Sequence, residues 1–259
     1  MKFASILLII FLSILFQSCK QHTKYGEPDA EPATITKSLM SFLTYRDTSL
    51  KLYQDFTGIN SSGNVIAKDS FLNLLSSGTY LPLKLKSNDA TIYYQLIKLN
   101  DSVDNDIKTT IKYWGLQEEE YYKLEGKDFP DFKFVDINGN TYDNNSTRGK
   151  IVVFKCWFLD CLPCIKEIPL LNELRLKYIN RNDILFISLC WDSKTEVQDF
   201  LKKKEFNYVT VPGQYKFLTD TLLVNAYPTH FVLNKDGKIV IKTEDYRALS
   251  YALKKLSSQ

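Results

Sequence analysis

The chain has no dominant charge: 33 Lys and Arg against 30 Asp and Glu leave a formal +3 over 259 residues. Nothing in that balance calls for a nucleic-acid partner, which would want a strongly basic surface. A long apolar run is also missing. The most apolar stretch, residues 3–16, is too short to cross a ~30 Å hydrocarbon core comfortably as a helix. Histidine is scarce, with 2 in the chain, at positions 22 and 230, and no cysteine stands between Cys19 and Cys156. That interval offers no metal-ligand spacing and no thiol nucleophile. What remains, 44% hydrophobic and 24% charged residues with 16 Tyr and 16 Phe, is ordinary for a chain that buries a core.

The amino terminus carries an address. Lys2 is a short basic region, and residues 3–16 have the length of a signal-peptide apolar segment. The run ends at Gln17-Ser18-Cys19, and a small residue followed by Cys resembles a bacterial lipoprotein cleavage site. Residues 1–19 are then expected to be a signal peptide ending at a lipid-bearing Cys19, with the body held on a membrane surface outside the cytoplasm. Phe16, three before Cys19, is bulkier than the usual Leu, and the alternative is an uncleaved anchor with an incidental cysteine. Residues 20–34 are polar with two prolines and read as a flexible tether.

Residues 35–125 read as a smaller α+β region. Leu39, Phe42 and Leu43 keep helical spacing, and Asp69 is expected to cap a helix through Phe71, Leu72, Leu74 and Leu75 that stops at Gly78. Residues 80–85 and 91–99 read as strands about a Ser87-Asn88-Asp89 turn, and 101–114 as a helix. Glu118, Glu119 and Glu120 read as a solvated face. No function is legible here.

From residue 126 the pattern changes. Phe132, Phe134 and Val135 lead to an Asn138-Gly139 hairpin turn, and Gly149-Lys150 opens IVVFKCWF, a strand buried on both faces. Cys161-Leu162-Pro163-Cys164 follows, then a helix on which Ile165, Ile168, Leu171 and Leu174 share a face. A strand at 184–190, a helix at 196–204, a hairpin formed by 231–233 and 238–241, and a helix at 247–256 complete an α/β sheet plan.

Two cysteines three apart at a strand-to-helix junction sit in the first helical turn. The first thiol meets unpaired backbone N–H groups and the positive end of the helix dipole, which stabilise a thiolate. Such placement lowers a cysteine pKa from ~8.5 to roughly 3.5–7.5. Cys164, one turn deeper, can resolve a mixed disulfide formed at Cys161, and Pro163 stiffens the turn. Two other readings stay open. Half a zinc site would need two more ligands, and His230, Cys156 and Cys190 are not in ligand-pair spacing. A structural disulfide would close so short a loop that it gains little entropy.

The stretches FPDFKFVDINGN, RGKIVVFKCWFLDCLPCIKEIPLL and YPTHFVLNKDGKI resemble the thioredoxin-fold TlpA/ResA-like thiol–disulfide oxidoreductases of bacterial envelopes, over residues 126–259. The resemblance implies an α/β thioredoxin-like domain, a central mixed sheet flanked by helices. It implies Trp157 beside the dithiol, a bend at Pro169, and Pro228, followed by Thr229, as a cis-proline packed against the sulfurs. A proline there has no N–H and leaves a flat wall where a substrate strand can lie. Glu167 matches an acid that reductive members keep near the dithiol. It would exchange a proton with Cys164 if burial raised its pKa. Lys155 departs from the pattern; it would favour thiolate or snorkel outward. Asp160 also departs, and a carboxylate beside Cys161 opposes thiolate.

Cys156 and Cys190 read as small buried hydrophobes, with a second redox pair as the alternative, and His230 as a hydrogen-bonded strand residue rather than a catalytic one. No cofactor and no metal are expected. The implied partners are envelope proteins bearing disulfides or thiols, a membrane electron donor or acceptor, and the membrane surface. A peroxidase of related fold would want Pro and Thr ahead of Cys161, where CWFLD has neither. A non-catalytic binding module is the remaining alternative.

Overall fold

The structure, a computed structural model, describes residues 24–258, so the expectations for residues 1–19 and for Cys19 lie outside the described residues. Among those described, no helix is long and apolar enough to cross a membrane.

The N-terminal unit runs β1 (Glu27–Pro28), α1 (Pro32–Ile35), α2 (Leu39–Ser49), β2 (Thr57–Ile59), β3 (Val65–Ile66), α3 (Lys68–Ser76), β4 (Tyr80–Lys86), β5 (Tyr93–Lys98) and α4 (Asn105–Leu124). Its five strands order as β1-β4-β5-β2-β3, and its core holds Phe42, Phe71, Leu72, Leu75, Tyr94 and Ile111. Several expectations need correction. Residues from 27 onward are not free tether: Glu27 and Pro28 pair with Lys86 and Leu85, and Ile35 is buried. Ala67, not Asp69, is the N-cap of α3, and Asp69 sits in its first turn.

The largest correction concerns α4, which continues ten residues beyond Trp114 to Leu124. Glycine at 115 reads as a helix weakness, but its bare Cα is what α4 needs. A Cβ there would lie 2.7 Å from the backbone nitrogen of Ser76, so α3 and α4 touch backbone to backbone. The three glutamates consequently lie on helix, with Glu118 and Glu119 half-buried and Glu120 exposed as expected. Glu118 accepts from Trp114 Nε1 at 2.9 Å, Glu119 pairs with Lys123 at 2.7 Å, and Glu120 pairs with Lys242 at 3.0 Å.

The C-terminal unit begins with the β6 (Lys133–Val135) and β7 (Thr141–Asp143) hairpin. Its turn uses Gly139 at φ +89°, a left-handed conformation open to glycine. The main elements follow: β8 (Ile151–Trp157), α5 (Leu162–Lys177), β9 (Ile184–Cys190), α6 (Lys194–Leu201) and β10 (Val209–Val211). A π-helical turn at Phe217–Thr221, β11 (Thr229–Leu233), β12 (Ile239–Thr243) and α7 (Tyr246–Ser257) complete the chain. Strand order is β10-β9-β8-β11-β12, with β8, β9 and β10 parallel and β11 and β12 antiparallel. All seven residues of β8 are buried, because it is the middle strand with packed layers on both faces. Val153 and Trp157 face α5 and α7, while Val152, Phe154 and Cys156 face Phe129, Phe132 and Phe134.

The two units meet along β12. The N–H of Gly126 donates to Ile239 O at 2.8 Å, and Ile239 N–H returns a bond to Lys127 O at 2.8 Å, which covers the start of that edge strand. Further along, Gln117 Nε2 and Tyr121 OH both donate to Glu244 Oε1 at 2.6 Å, and Tyr53 packs against Tyr251.

Candidate active site

Strand β8 ends at Trp157, and a short loop carries the chain to Cys161, the N-cap of α5. Cys161 and Cys164 form a disulfide with their Cα atoms 5.2 Å apart. The N–H of Cys164 donates to Cys161 Sγ at 3.3 Å, the helix-start contact that favours charge on that sulfur. Cys161 is less open than its position at a helix start suggests, at 4% exposed, but Cys164 is fully covered. Pro163 lies in the exposed first turn beside Leu162, which is 61% exposed. Trp157 is buried between Phe200 and Phe206.

The Tyr227–Pro228 peptide is cis. Thr229 opens β11 opposite Cys156, and its hydroxyl donates to Ala226 O at 2.7 Å, closing the loop ahead of the strand. Leu159 N–H donates to Asp192 Oδ2 at 2.8 Å, tying the loop before Cys161 to the end of β9. Around that junction Phe158 stacks on Trp191 at 4.6 Å, and Tyr227 and Tyr215 meet Trp191 edge-on at 5.6 and 5.0 Å. Trp191, Tyr215 and Asp192 were not legible as site residues, because nothing in their local spacing ties them to the dithiol.

Lys155 is the main surprise. Far from snorkelling outward, it is fully buried, and its ammonium touches the Glu167 carboxylate. Strand alternation turns Lys155 to the same face as Val153 and Trp157, under α5, and Glu167 stands one turn beyond Cys164 on that helix. His230 faces Lys155 across the β8–β11 ladder, and its Nε2 lies 3.1 Å from Glu167 Oε1. The approach is bent rather than linear and Nδ1 has no partner among the described residues, but the Nε2 contact lowers the carboxyl pKa as a hydrogen bond does, in keeping with a hydrogen-bonded strand residue.

The balance of the cluster follows from burial and charge. Burial pushes the Glu167 carboxyl up, but His230 and Lys155 more than offset this and hold it below the ordinary carboxylate value. Glu167 is therefore ionised at neutral pH, not a raised-pKa acid holding a proton for Cys164. Burial lowers Lys155, with Glu167 opposing the shift. It also lowers His230 against the pull of Glu167, so the imidazole is neutral and Lys155 supplies the balancing charge. A folded histidine pKa below ~6.5 means that the unfolded chain binds the proton first as pH falls. The contribution of His230 to stability is thus complete above ~6.5 and declines below it, by at most ~1.4 kcal/mol per pH unit. In urea melts, His230→Gln should show a shallower loss of stability between pH 7 and 5 than the parent; parallel profiles would assign the loss to other groups.

Cys156 and Cys190 are free and buried. Cys156 pairs with Leu189 and Cys190 with Trp157, so the two thiols point to opposite faces of the sheet and do not form a pair. Burial pushes the Cys156 thiol up to about 12 and raises Cys190 as well, the behaviour of inert core cysteines. Among the described residues, no group of three His, Cys, Asp or Glu side chains is placed to hold a metal ion.

A family model described as the AhpC/TSA family matches residues 126–242. Over 117 residues the chain is 30% identical to the thiol-disulfide oxidoreductase ResA of Bacillus cereus, spanning 45% of this chain and 68% of that one. Over 139 residues it is 30% identical to ResA of Bacillus thuringiensis, 52% and 80% of the two chains. The chain belongs to the ResA family of thiol-disulfide oxidoreductases. In this chain Cys161–Cys164 is the disulfide at the helix start, and the Lys155–Glu167 ion pair with the neutral His230 packs beneath that helix. Among solved structures, the solution structure of a thiol:disulfide interchange protein from Bacteroides sp. is 21% identical with a TM-score of 0.47, covering 52% of this oxidoreductase and 91% of that chain.

Proposed function

We propose that this thiol-disulfide oxidoreductase acts on protein disulfides through Cys161 and Cys164, working as a reductase in a bacterial envelope. The observation that carries the reading is the Cys161–Cys164 disulfide at the α5 N-terminus, with exposure only on the Cys161 side. Cys161 thiolate attacks one sulfur of a substrate disulfide. A Cys161–substrate bond forms, and the other substrate sulfur leaves as a thiolate and takes a proton. Cys164, as thiolate, then attacks Cys161 Sγ and releases the second substrate thiol. The substrate gains two electrons and two protons, and the protein keeps the disulfide. A membrane dithiol donor must return the electrons, since the envelope has no cytosolic type of thiol buffer.

Glu167 supports the reductive direction through its match to the reductive members' acid. Here it acts as a fixed charge beneath the helix that carries the dithiol, and the resemblance puts the cis-proline Pro228, followed by Thr229, against the sulfurs. The test is reduction of insulin by the dithiol-charged protein and by its two single-cysteine variants. A couple near −300 mV accords with a reductant and one near −120 mV with an oxidant.

The location is part of the same proposal. It rests on the apolar segment at residues 3–16 ending at Cys19. Cys19→Ala should move the protein from the membrane pellet to the soluble fraction in a bacterial host; retention in the pellet after alkaline wash would exclude a lipid anchor at that residue.

A further inference from the structure

The N-terminal unit brings one helix to the edge of the sheet that carries the dithiol. Thr229 opens β11 opposite Cys156, and Thr243 closes β12 opposite His230. The end of β12 therefore lies at the same edge as the start of α5, two strand spacings or ~10 Å across from β8. Two cavities meet there along α4. One, of about 460 Å³, lies between α4, the end of α2 and residues 241–247. The other, of about 560 Å³, is bounded by Tyr113, Leu116 and Gln117 on one side and by Asn225 on the other. Arg46, Trp114, Gln117 and Tyr121 line both, so they form one groove.

Asn225 is exposed and stands three residues ahead of the cis-proline Pro228, so the groove reaches the loop that leads into β11. On its helical wall Tyr113 and Leu116 are 69% and 43% exposed, while the opposite face of α4 buries Ile107, Ile111 and Gly115. The charges around them are already occupied: Glu120 by Lys242, Arg46 by Asp47, and Glu244 by Gln117 and Tyr121. What the groove offers a newcomer is an aromatic and an aliphatic side chain beside an exposed amide, the mixture that takes up polypeptide.

We propose that this groove docks the polypeptide that flanks the disulfide of the substrate protein. An extended segment leaving the sulfur held at Cys161 passes the loop at 225–228 and lays an apolar side chain on Tyr113 and Leu116. The two strand spacings between β8 and β12 already exceed the reach of a small disulfide, whereas an extended segment advances ~3.3 Å per residue and can cross to α4. Such docking presupposes that Cys161 and Cys164 act on protein disulfides, as proposed above. It gives the N-terminal unit a role in choosing and holding substrate.

The experiment compares the intact protein with a Tyr113→Ser, Leu116→Ser double variant, using scrambled ribonuclease A and oxidised glutathione as substrates. Both side chains are exposed, so the fold should survive. The expected result is a loss of about ten-fold in kcat/KM on the protein substrate, as for truncating one interface anchor, with glutathione disulfide reduced at the parent rate. Equal activity on the protein substrate, or equal loss on both substrates, would overturn the docking role. If the parent reduces neither substrate, it is the dithiol reading that fails. A second measurement places benzoylphenylalanine at position 113 in the Cys164→Ser background. Cross-links to substrate within about five residues of the trapped cysteine support docking; cross-links confined to the enzyme's own chain count against it.

Discussion

Replacing Cys164 with serine should convert the protein into a covalent trap. With no resolving thiol, the mixed disulfide between Cys161 and a substrate protein cannot pass on, and complexes that dithiothreitol dissolves should accumulate on non-reducing gels. Insulin reduction should fall by ~10³-fold or more, the scale of losing a covalent catalytic group. Cys161→Ser should lose the same activity and trap little. The asymmetry has a physical source: Cys161 caps α5, its sulfur accepts the Cys164 N–H, and it alone of the pair has any exposure. A thiolate is stabilised there and can be reached. Equal trapping by both variants would reverse or dissolve the assignment of attacker and resolver. Full insulin reduction by either would favour a binding module.

The second large effect is on stability. Glu167→Gln removes the carboxylate that faces Lys155, a lysine with no exposed surface. The ammonium must then stay charged without a partner or lose its proton, and either course costs about 3–5 kcal/mol. For a domain of this size, that is a fall in Tm of roughly 10 °C. Combining Glu167→Gln with Lys155→Met should recover most of the loss, because an apolar side chain of similar length replaces the buried charge. Urea melts of the four proteins form a double-mutant cycle with a coupling of roughly 2–3 kcal/mol. A cost below ~1 kcal/mol for Glu167→Gln alone would mean that water reaches Lys155 and that the pair behaves as a surface pair.

Much of the C-terminal unit can be read from the chain because its signals are local. A run such as IVVFKCWF needs burial on both faces, and a C-x-x-C at its end needs a helix start. The hairpin turn at Asn138-Gly139 is as direct, since Gly139 sits in the left-handed region. What escaped depends on distant residues. Lys155 inside that apolar run was a visible anomaly, but its partner stands twelve residues on and on another element. His230 joins them only through the β8–β11 register. Strand β10, of three residues, was too short to register as a period. The true length of α4 was hidden by Gly115, whose value lies in a contact with α3 rather than in its own helix propensity.

Glu125 alone separates the last helical residue of α4 from Gly126, whose N–H is already bonded to the edge strand. A linker of one residue is not a hinge but a phase setting. Each residue of an α-helix advances its side chains by about 100°, so one residue added or removed there would rotate the whole stripe of α4 about its axis against the sheet. The azimuth of Tyr113 about the axis of α4 is therefore written into the chain as a count of residues, in the way that a keyed shaft fixes the timing of a cam.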